Sequence, residues 1–184
     1  YIFSYNINLQ NTLLVIFVKK FMKRKIEIEY IETIDLEQLS TIEKELMTQA
    51  INVANTAYAP YSEFNVGAAL ILENDKIITG NNQENSSFPC GICAERVALF
   101  SANSMYPHLE IKKIAITAIS NNFILTHPVG PCGLCRQVLI ECEERQNTEI
   151  EIILFDSNKI IKLQNAKSLL PFYFKEDQLK RKKP

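Results

Sequence analysis

Two short stretches of the chain carry thiols in the pairwise spacing that metal sites use. Cys90 and Cys93 form the first pair, and Cys132 and Cys135 form the second. Four thiolates arranged as a tetrahedron would make a closed structural zinc site, which performs no chemistry. Redox-active dithiols are a weaker alternative, because neither pair stands in a thioredoxin-like sequence context. Cys142 falls on the same predicted helical face as Cys135, and we expect it to be a buried structural cysteine.

A carboxylate beside the first thiol pair argues for an open, catalytic metal site. Glu95 follows Cys93 in the first turn of a predicted helix, where a glutamate usually interacts with the helix dipole. Beside a metal with only three protein ligands, this carboxylate would carry protons for a water at the fourth position. Three thiolates make such water less acidic, but the helix N-termini and the directly following Arg96 and Arg136 would withdraw charge from sulfur. The closed four-thiol site remains the alternative.

The elements that must position these residues alternate between helices and strands. A capping-box pattern at Ser40 and Glu43 predicts the start of the first helix, and Pro60 marks its end. The other predicted elements are strands at 66–72, 77–80, 111–119, 150–155 and 159–163, helices at 94–103 and 134–144, and a short helix at 166–170. This order predicts an α/β fold, a three-layer α/β/α sandwich with a mixed central sheet of about five strands. Both thiol stretches lie where a loop after a strand enters a helix, which is a common site position in α/β sheets.

Charge narrows the possible substrates. The 184 residues suit a single domain, and 47% of them are apolar and 22% charged. Nine of the 20 basic residues lie near the two ends, outside positions 26–179. Within 26–179, 11 basic residues stand against 21 acidic ones. Nucleic-acid affinity depends mainly on cations that neutralise phosphates. The acidic body therefore argues against a polynucleotide substrate and predicts no nucleic-acid partner.

We expect the chain to consist of one domain with an extra segment at each end. Residues 1–25 are predicted to be an extension outside the folded core, 26–175 the domain itself, and 176–184 a basic tail. The apolar run at 13–18 is shorter than the about 20 residues that a membrane-spanning helix needs, so no membrane partner is expected. Five cysteines without a secretory signal predict a reducing compartment and a cytoplasmic location.

The stretches Cys93-Ala94-Glu95-Arg96 and 131–137 resemble the sequence marks of the homotetrameric zinc cytidine deaminases. The similarity extends upstream through 57–70 and 82–85 and covers roughly residues 40–175. Deaminases of polynucleotides commonly have a histidine as the first metal ligand. Cysteine at that position resembles the branch of the superfamily that acts on free nucleosides.

This resemblance implies hydrolysis of cytidine and deoxycytidine to uridine and deoxyuridine, with release of ammonia, as a step of pyrimidine salvage. It implies one Zn²⁺ ion per subunit, held by Cys93, Cys132 and Cys135, and Glu95 as the catalytic acid and base. The residues that it implies in substrate binding are Phe64, Asn82, Glu84, Ala94 and Phe174.

The resemblance also assigns separate parts of the substrate to these residues. Phe64 would line the base pocket, and Asn82 and Glu84 would bind the ribose hydroxyls. Phe174 would reach the active site of a neighbouring subunit, which implies a homotetramer with shared sites. Phe88 departs from the pattern, since relatives often have tyrosine there, and any contact through that hydroxyl is lost.

Cys90 is a second departure, an additional thiol that we expect to be a bystander. If Cys90 did bind the metal, the chain would be a non-catalytic interaction module stabilised by a four-cysteine zinc site. A further alternative is a deaminase of another cytosine-bearing nucleoside, such as a nucleoside antibiotic. Metal ligation by His108 or His127 is disfavoured, because neither histidine lies at a helix start beside the thiols.

Overall fold

Buried, apolar strands form the centre of the fold. A computed structural model describes residues 22–179 of the chain, and the elements named here belong to that part. The strands are β1 (Ile31–Thr33), β2 (Phe64–Leu72), β3 (Ile77–Asn81), β4 (Ile111–Ser120), β5 (Glu151–Phe155) and β6 (Ile160–Leu163). They form one six-stranded sheet in the order β1-β6-β5-β4-β2-β3. Strands β4 and β5 run parallel, and the other neighbouring strands run antiparallel, so the predicted mixed sheet is confirmed.

The α-helices are α1 (Thr41–Ala54), α2 (Ala94–Met105) and α3 (Gly133–Gln146), and they cover both faces of the sheet. Alternate side chains of β2 serve opposite faces, as the period of a strand requires. Ala68 and Leu70 belong to the core beneath α2 and α3, whereas Ala69 and Ile71 belong to the core beneath α1. This arrangement confirms the three-layer α/β/α architecture.

Helix α1 begins where the sequence predicts. The Ser40 hydroxyl accepts a hydrogen bond from the Glu43 backbone N–H, and the Glu43 carboxylate accepts one from the Ser40 backbone N–H at 2.8 Å. This reciprocal capping box occupies two backbone donors that have no partner within the helix. The capping-box prediction is therefore confirmed.

The start of α2 lies directly against β3 because Gly80 has no side chain. A Cβ atom at Gly80 would lie 2.5 Å from the Ala94 carbonyl oxygen and 2.5 Å from the Ala98 nitrogen, well inside van der Waals contact. Glycine thus permits a close approach of helix and strand backbones. This contact sets the position of the first turn of α2, which carries Glu95.

The structure differs from the sequence prediction at the edges. Strand β1 was not predicted; it pairs antiparallel with β6 and raises the sheet from about five strands to six. The predicted short helix at 166–170 is a 3₁₀ helix, Ala166–Leu169. Residues 1–21 and 180–184, in the two predicted end segments, lie outside the described residues. Within 22–179, no helix combines the length and apolar character needed to cross a membrane.

Candidate active site

Three thiols meet where the N-termini of α2 and α3 converge. Cys93 and Cys132 are the N-cap residues of α2 and α3, and Cys135 lies in the first turn of α3. Their sulfur atoms all lie within 4.8 Å of one another, with Cys93–Cys132 at 3.8 Å and Cys132–Cys135 at 3.5 Å. Tetrahedral zinc with Zn–S bonds of about 2.3 Å requires sulfur atoms about 3.8 Å apart. The donor type and spacing therefore fit zinc.

Cys90 does not belong to this three-thiol cluster. It lies in a 3₁₀ helix, Phe88–Cys90, and its exposed sulfur contacts the Ser87 hydroxyl at 3.6 Å. The fourth position around the cluster is thus free of a cysteine from the described part of the chain. That geometry supports an open metal site over a closed four-thiol site.

A hydrogen bond from Cys135 and the positive charge of Arg96 stabilise a thiolate at Cys93. The Arg96 guanidinium donates to the Cys93 sulfur at 3.5 Å. Hydrogen bonding from the Cys135 thiol, with a contribution from Arg96, lowers the pKa of Cys93 to about 5. The same hydrogen bond and burial raise the pKa of Cys135, which keeps its proton while Cys93 is ionised. A bound divalent cation would favour the ionised form of all its thiol ligands.

Arg136 was predicted to withdraw charge from sulfur, but its guanidinium donates elsewhere. Nε donates to the Pro131 carbonyl oxygen at 2.7 Å, and a terminal nitrogen donates to the Leu169 carbonyl oxygen at 2.8 Å. These bonds fasten the residue before Cys132 to the 3₁₀ helix Ala166–Leu169. In this structure Arg136 therefore holds the backbone that carries a thiol and makes no hydrogen bond to sulfur among those of the described residues.

Glu95 is a buried carboxylate that lines the same site. Its side chain lies in the first turn of α2, is 4% exposed, and lines the cavity that also contains Cys93 and Cys132. Burial, with a contribution from the nearby Cys93 charge, raises the pKa of Glu95 above its ordinary value. A carboxyl group with a raised pKa in a cleft is suited to accept and return a proton.

The cavity beside the thiols has a volume of about 960 Å³, near the upper limit for pockets that bind small molecules. Glu84 and Asn82 line one part of its wall. Glu84 accepts hydrogen bonds from the backbone N–H groups of Tyr61 at 2.9 Å and Ser62 at 3.3 Å, and from the Ser62 hydroxyl. The Ser62 hydroxyl is the main cause that lowers the pKa of Glu84, so this carboxylate stays charged.

Asn82 is fixed to strand β2 by its side-chain amide. Its Oδ1 accepts a hydrogen bond from the Val66 backbone N–H at 2.7 Å, and its Nδ2 donates to the Phe64 carbonyl oxygen at 2.9 Å. An amide can make up to four hydrogen bonds, so one lone pair and one N–H of Asn82 are left for other partners. Asn82 is thus held against the strand and lines the cavity.

Aromatic rings form the apolar part of the wall. Phe64, predicted to line the base pocket, does line the cavity, and its ring stacks with the ring of Phe123. Phe88 also lines the cavity and packs edge-on against Tyr61, with ring centroids 5.8 Å apart. Sequence analysis missed Phe123, because a single aromatic residue in a loop has no periodic pattern to indicate its partner.

Two predicted substrate-binding residues do not line this cavity. Ala94 is fully buried beneath β3 and is not among the residues that line the cavity, and its contact with a substrate stays a prediction. Phe174 lies elsewhere on the chain, where its backbone N–H and carbonyl oxygen bond to the Gln137 side chain at 3.0 and 2.9 Å. Its ring is exposed, and a contact with a neighbouring subunit stays a prediction.

Comparisons with known proteins agree with this site. Residues 40–148 match the family model of the cytidine and deoxycytidylate deaminase zinc-binding region. The cytidine deaminase of Sporosarcina psychrophila is 36% identical over 137 residues, which cover 74% of this chain and 93% of that protein. That of Halalkalibacterium halodurans is 44% identical over 96 residues, which cover 52% of this chain and 68% of that protein.

Solved structures with the same fold are also cytidine deaminases. The crystal structure of cytidine deaminase from Burkholderia pseudomallei shares 36% sequence identity and superimposes with a TM-score of 0.61 over 71% of this chain and 98% of that one. The enzyme from Mycobacterium tuberculosis shares 28% identity, with a TM-score of 0.57 over 74% of this chain and 100% of that one.

Proposed function

Because the chain belongs to the cytidine and deoxycytidylate deaminase family, we propose that it is a zinc-dependent enzyme that hydrolyses cytidine and deoxycytidine to uridine and deoxyuridine. The observation that carries the proposal is the buried Glu95, which lines the same open cavity as Cys93 and Cys132 of the three-thiol cluster. A closed structural zinc site would need neither a buried carboxylate nor a cavity of this size.

Each residue of the cluster has a defined part in the proposed reaction. Cys93, Cys132 and Cys135 would hold the metal as thiolates, and Arg96, which donates to the Cys93 sulfur, would withdraw charge from it. Zinc, when bound there, supplies a Lewis acid that lowers the pKa of water to about 7.

Glu95 moves the protons. It accepts a proton from the attacking water and delivers it to N3 of the cytosine ring as the new bond to oxygen forms at C4. It then carries the second proton of that water, from the new hydroxyl group on C4, to the amino group. The bond between C4 and the amino nitrogen breaks, so that ammonia leaves and the uracil ring remains. Burial supports this role, because a carboxyl with a raised pKa gives up and regains a proton more readily near neutral pH.

The cavity wall supports recognition of a nucleoside. Phe64 offers an aromatic face to the base, while Asn82 and Glu84 offer hydrogen-bonding groups to the sugar hydroxyls. The charged Glu84 would repel a phosphate attached to that sugar, which favours nucleosides over nucleotides. This part of the proposal rests on the position of these side chains around one cavity.

We further propose a cytoplasmic homotetramer that acts in pyrimidine salvage. Exposed aromatic side chains support the assembly: Phe88 is 74% exposed, Phe172 is 89% exposed and Phe174 is 69% exposed. Rings of this size are usually buried, and contact with a neighbouring chain would cover them. In the tetramer Phe174 would complete the neighbouring site. Light scattering of the purified protein should give the mass of a tetramer, and a monomer with full activity would refute the shared site.

The central test is ammonia release from cytidine, measured together with the zinc content of the purified protein. We expect uridine and ammonia in equal amounts, one zinc ion per chain, and loss of turnover after treatment with a chelator and recovery with added zinc. A folded, zinc-loaded protein that releases no ammonia from cytidine or deoxycytidine would refute the proposal and favour the interaction module. Turnover of only a modified cytosine nucleoside would favour the alternative substrate.

A further inference from the structure

An aromatic ring from the loop between β4 and α3 lies on the wall of the active-site cavity. The ring of Phe123 is nearly parallel to that of Phe64, with an angle of 12° between their planes and 6.1 Å between their centroids. This is the spacing of an offset aromatic pair. Both rings line the cavity, and Phe123 is 55% exposed.

The loop that carries Phe123 is attached to the segment that carries Phe64. The Asn122 backbone N–H donates to the Ser120 hydroxyl at 3.2 Å, and its side-chain amide donates to the Ser62 carbonyl oxygen at 3.5 Å. Ser62 in turn donates to Glu84. The Phe123 loop, the Phe64 segment and the proposed sugar-binding carboxylate therefore form one connected wall.

We propose that Phe123 is a substrate-binding residue of the cavity, which acts together with Phe64 to bind the pyrimidine base. This inference rests on the proposed function. Two parallel centroids 6.1 Å apart leave too little room for a third ring between them, so the pair acts as one extended aromatic surface. Phe123 fixes the orientation of Phe64 and covers the base where the cavity opens to solvent.

The role of Phe123 is in binding and not in the chemical step. Its contact is with Phe64, whereas the thiols and Glu95 lie at the helix N-termini. A contact between the Phe123 ring and the base, with the strength of an ordinary aromatic pair, contributes about three- to tenfold to affinity. Phe123→Ala should therefore raise the KM for cytidine about three- to tenfold and leave kcat within about twofold of the parent value.

A double-mutant cycle with Phe64 tests whether the two rings act as a unit. The variants are Phe123→Leu, Phe64→Leu and the combination, with KM and kcat for cytidine measured for each. If Phe123 acts with Phe64, its substitution changes KM much less when Phe64 is already leucine. Additive effects on KM would overturn the joint role.

Ile124→Ala is the matched control, because Ile124 is the next residue, is 89% exposed, and does not line the cavity. We expect its KM to equal that of the parent enzyme. Turnover by the parent enzyme combined with an unchanged KM in Phe123→Ala would overturn this inference alone. Absence of turnover in the zinc-loaded parent enzyme would instead refute the proposed function and this inference with it. A thermal unfolding midpoint for Phe123→Ala that matches the parent value excludes misfolding as the cause of a raised KM.

Discussion

At the level of single residues, Glu95 and the three thiols are expected to respond differently to substitution, because only the thiols are proposed to hold the metal. Glu95→Gln keeps the size of the side chain but removes the group that carries protons. We expect kcat for cytidine to fall by at least about 100-fold while the zinc content stays unchanged. Ammonia release and metal analysis on the same sample give both quantities. Retained turnover would refute the role of Glu95.

Cys90 and Cys93, the first thiol pair, should also differ in how their substitution affects zinc content and activity. Cys90 is exposed and its sulfur contacts Ser87, whereas Cys93 caps α2 inside the thiol cluster. Cys93→Ser should lose most of its bound zinc and its activity, because a serine hydroxyl is a poor ligand for zinc. Cys90→Ser should keep the parent's zinc content and kcat. Loss of zinc in Cys90→Ser would indicate a closed four-cysteine site.

At the level of elements, the close contact between β3 and α2 places Glu95. A methyl group at Gly80 would collide with the backbone of Ala94 and Ala98, which belong to the helix that begins at the site. Gly80→Ala should therefore shift α2, lower the free energy of unfolding by about 2 kcal/mol, and reduce kcat. Chemical denaturation and cytidine turnover measure the two effects.

Gly133 provides the matched control for this substitution. It is the first residue of α3, lies between Cys132 and Cys135 in the sequence, and an added Cβ meets nothing within 4 Å. The denaturant concentration at the unfolding midpoint of Gly133→Ala should therefore equal the parent value or lie slightly above it, since alanine favours a helix more than glycine does. Equal destabilisation by both substitutions would show that the contact at Gly80 is not the cause.

A buried ionic network joins α1 to the sheet. Glu43 is 3% exposed, and its carboxylate accepts hydrogen bonds from Lys162 at 2.6 Å and Lys113 at 3.1 Å. Although burial opposes the shift, hydrogen bonds from Lys162 and the Ser40 backbone lower the pKa of Glu43 far below its ordinary value of 4.5. Glu43→Gln replaces the carboxylate with a neutral amide, and we expect it to lower the free energy of unfolding by about 2 kcal/mol at pH 7.

This difference should depend on pH. A carboxyl whose pKa is lower in the folded chain contributes stability that is present above its unfolded pKa and is lost as the pH falls toward its folded pKa. The gap between the parent protein and Glu43→Gln should thus be constant near neutrality and shrink below pH 4.5. Urea unfolding at a series of pH values measures it, with Glu45→Gln, an exposed site on the same helix, as the control. A gap that does not narrow in acid would contradict the assignment.

At the level of the whole molecule, net charge bears on the substrate class. The segment 26–179 has 11 basic residues against 21 acidic ones, so its overall field repels phosphate backbones. We expect turnover of cytidine but none of a cytosine-rich single-stranded DNA oligonucleotide. Lower salt strengthens the attraction of cationic sites for DNA, so the assay should be repeated at low ionic strength. Deamination of the oligonucleotide under those conditions would overturn this prediction.

Local patterns were sufficient to predict the order of the main elements and the position of the thiols at helix starts. The capping box at Ser40 and Glu43 is a short-range interaction, and it lies where the sequence predicts it. The buried strands and the two helices that follow the thiol loops also agree closely with their predicted ranges. Strand β1 was missed because it has three residues and two of them are exposed, so it has no apolar alternation to indicate it.

The chemistry of the site was determined by the sequence alone to the extent that it depends on residue type and helix position. Thiols at helix starts and a carboxylate in the first turn of α2 already indicated zinc and proton transfer. Contacts between distant parts of the chain were decided only by the tertiary structure. The stacking of Phe123 on Phe64, the bonds of Arg136 to Pro131 and Leu169, and the burial of Ala94 belong to this class. The physical reason is that side-chain partners far apart in sequence are chosen by packing, which a local pattern does not specify.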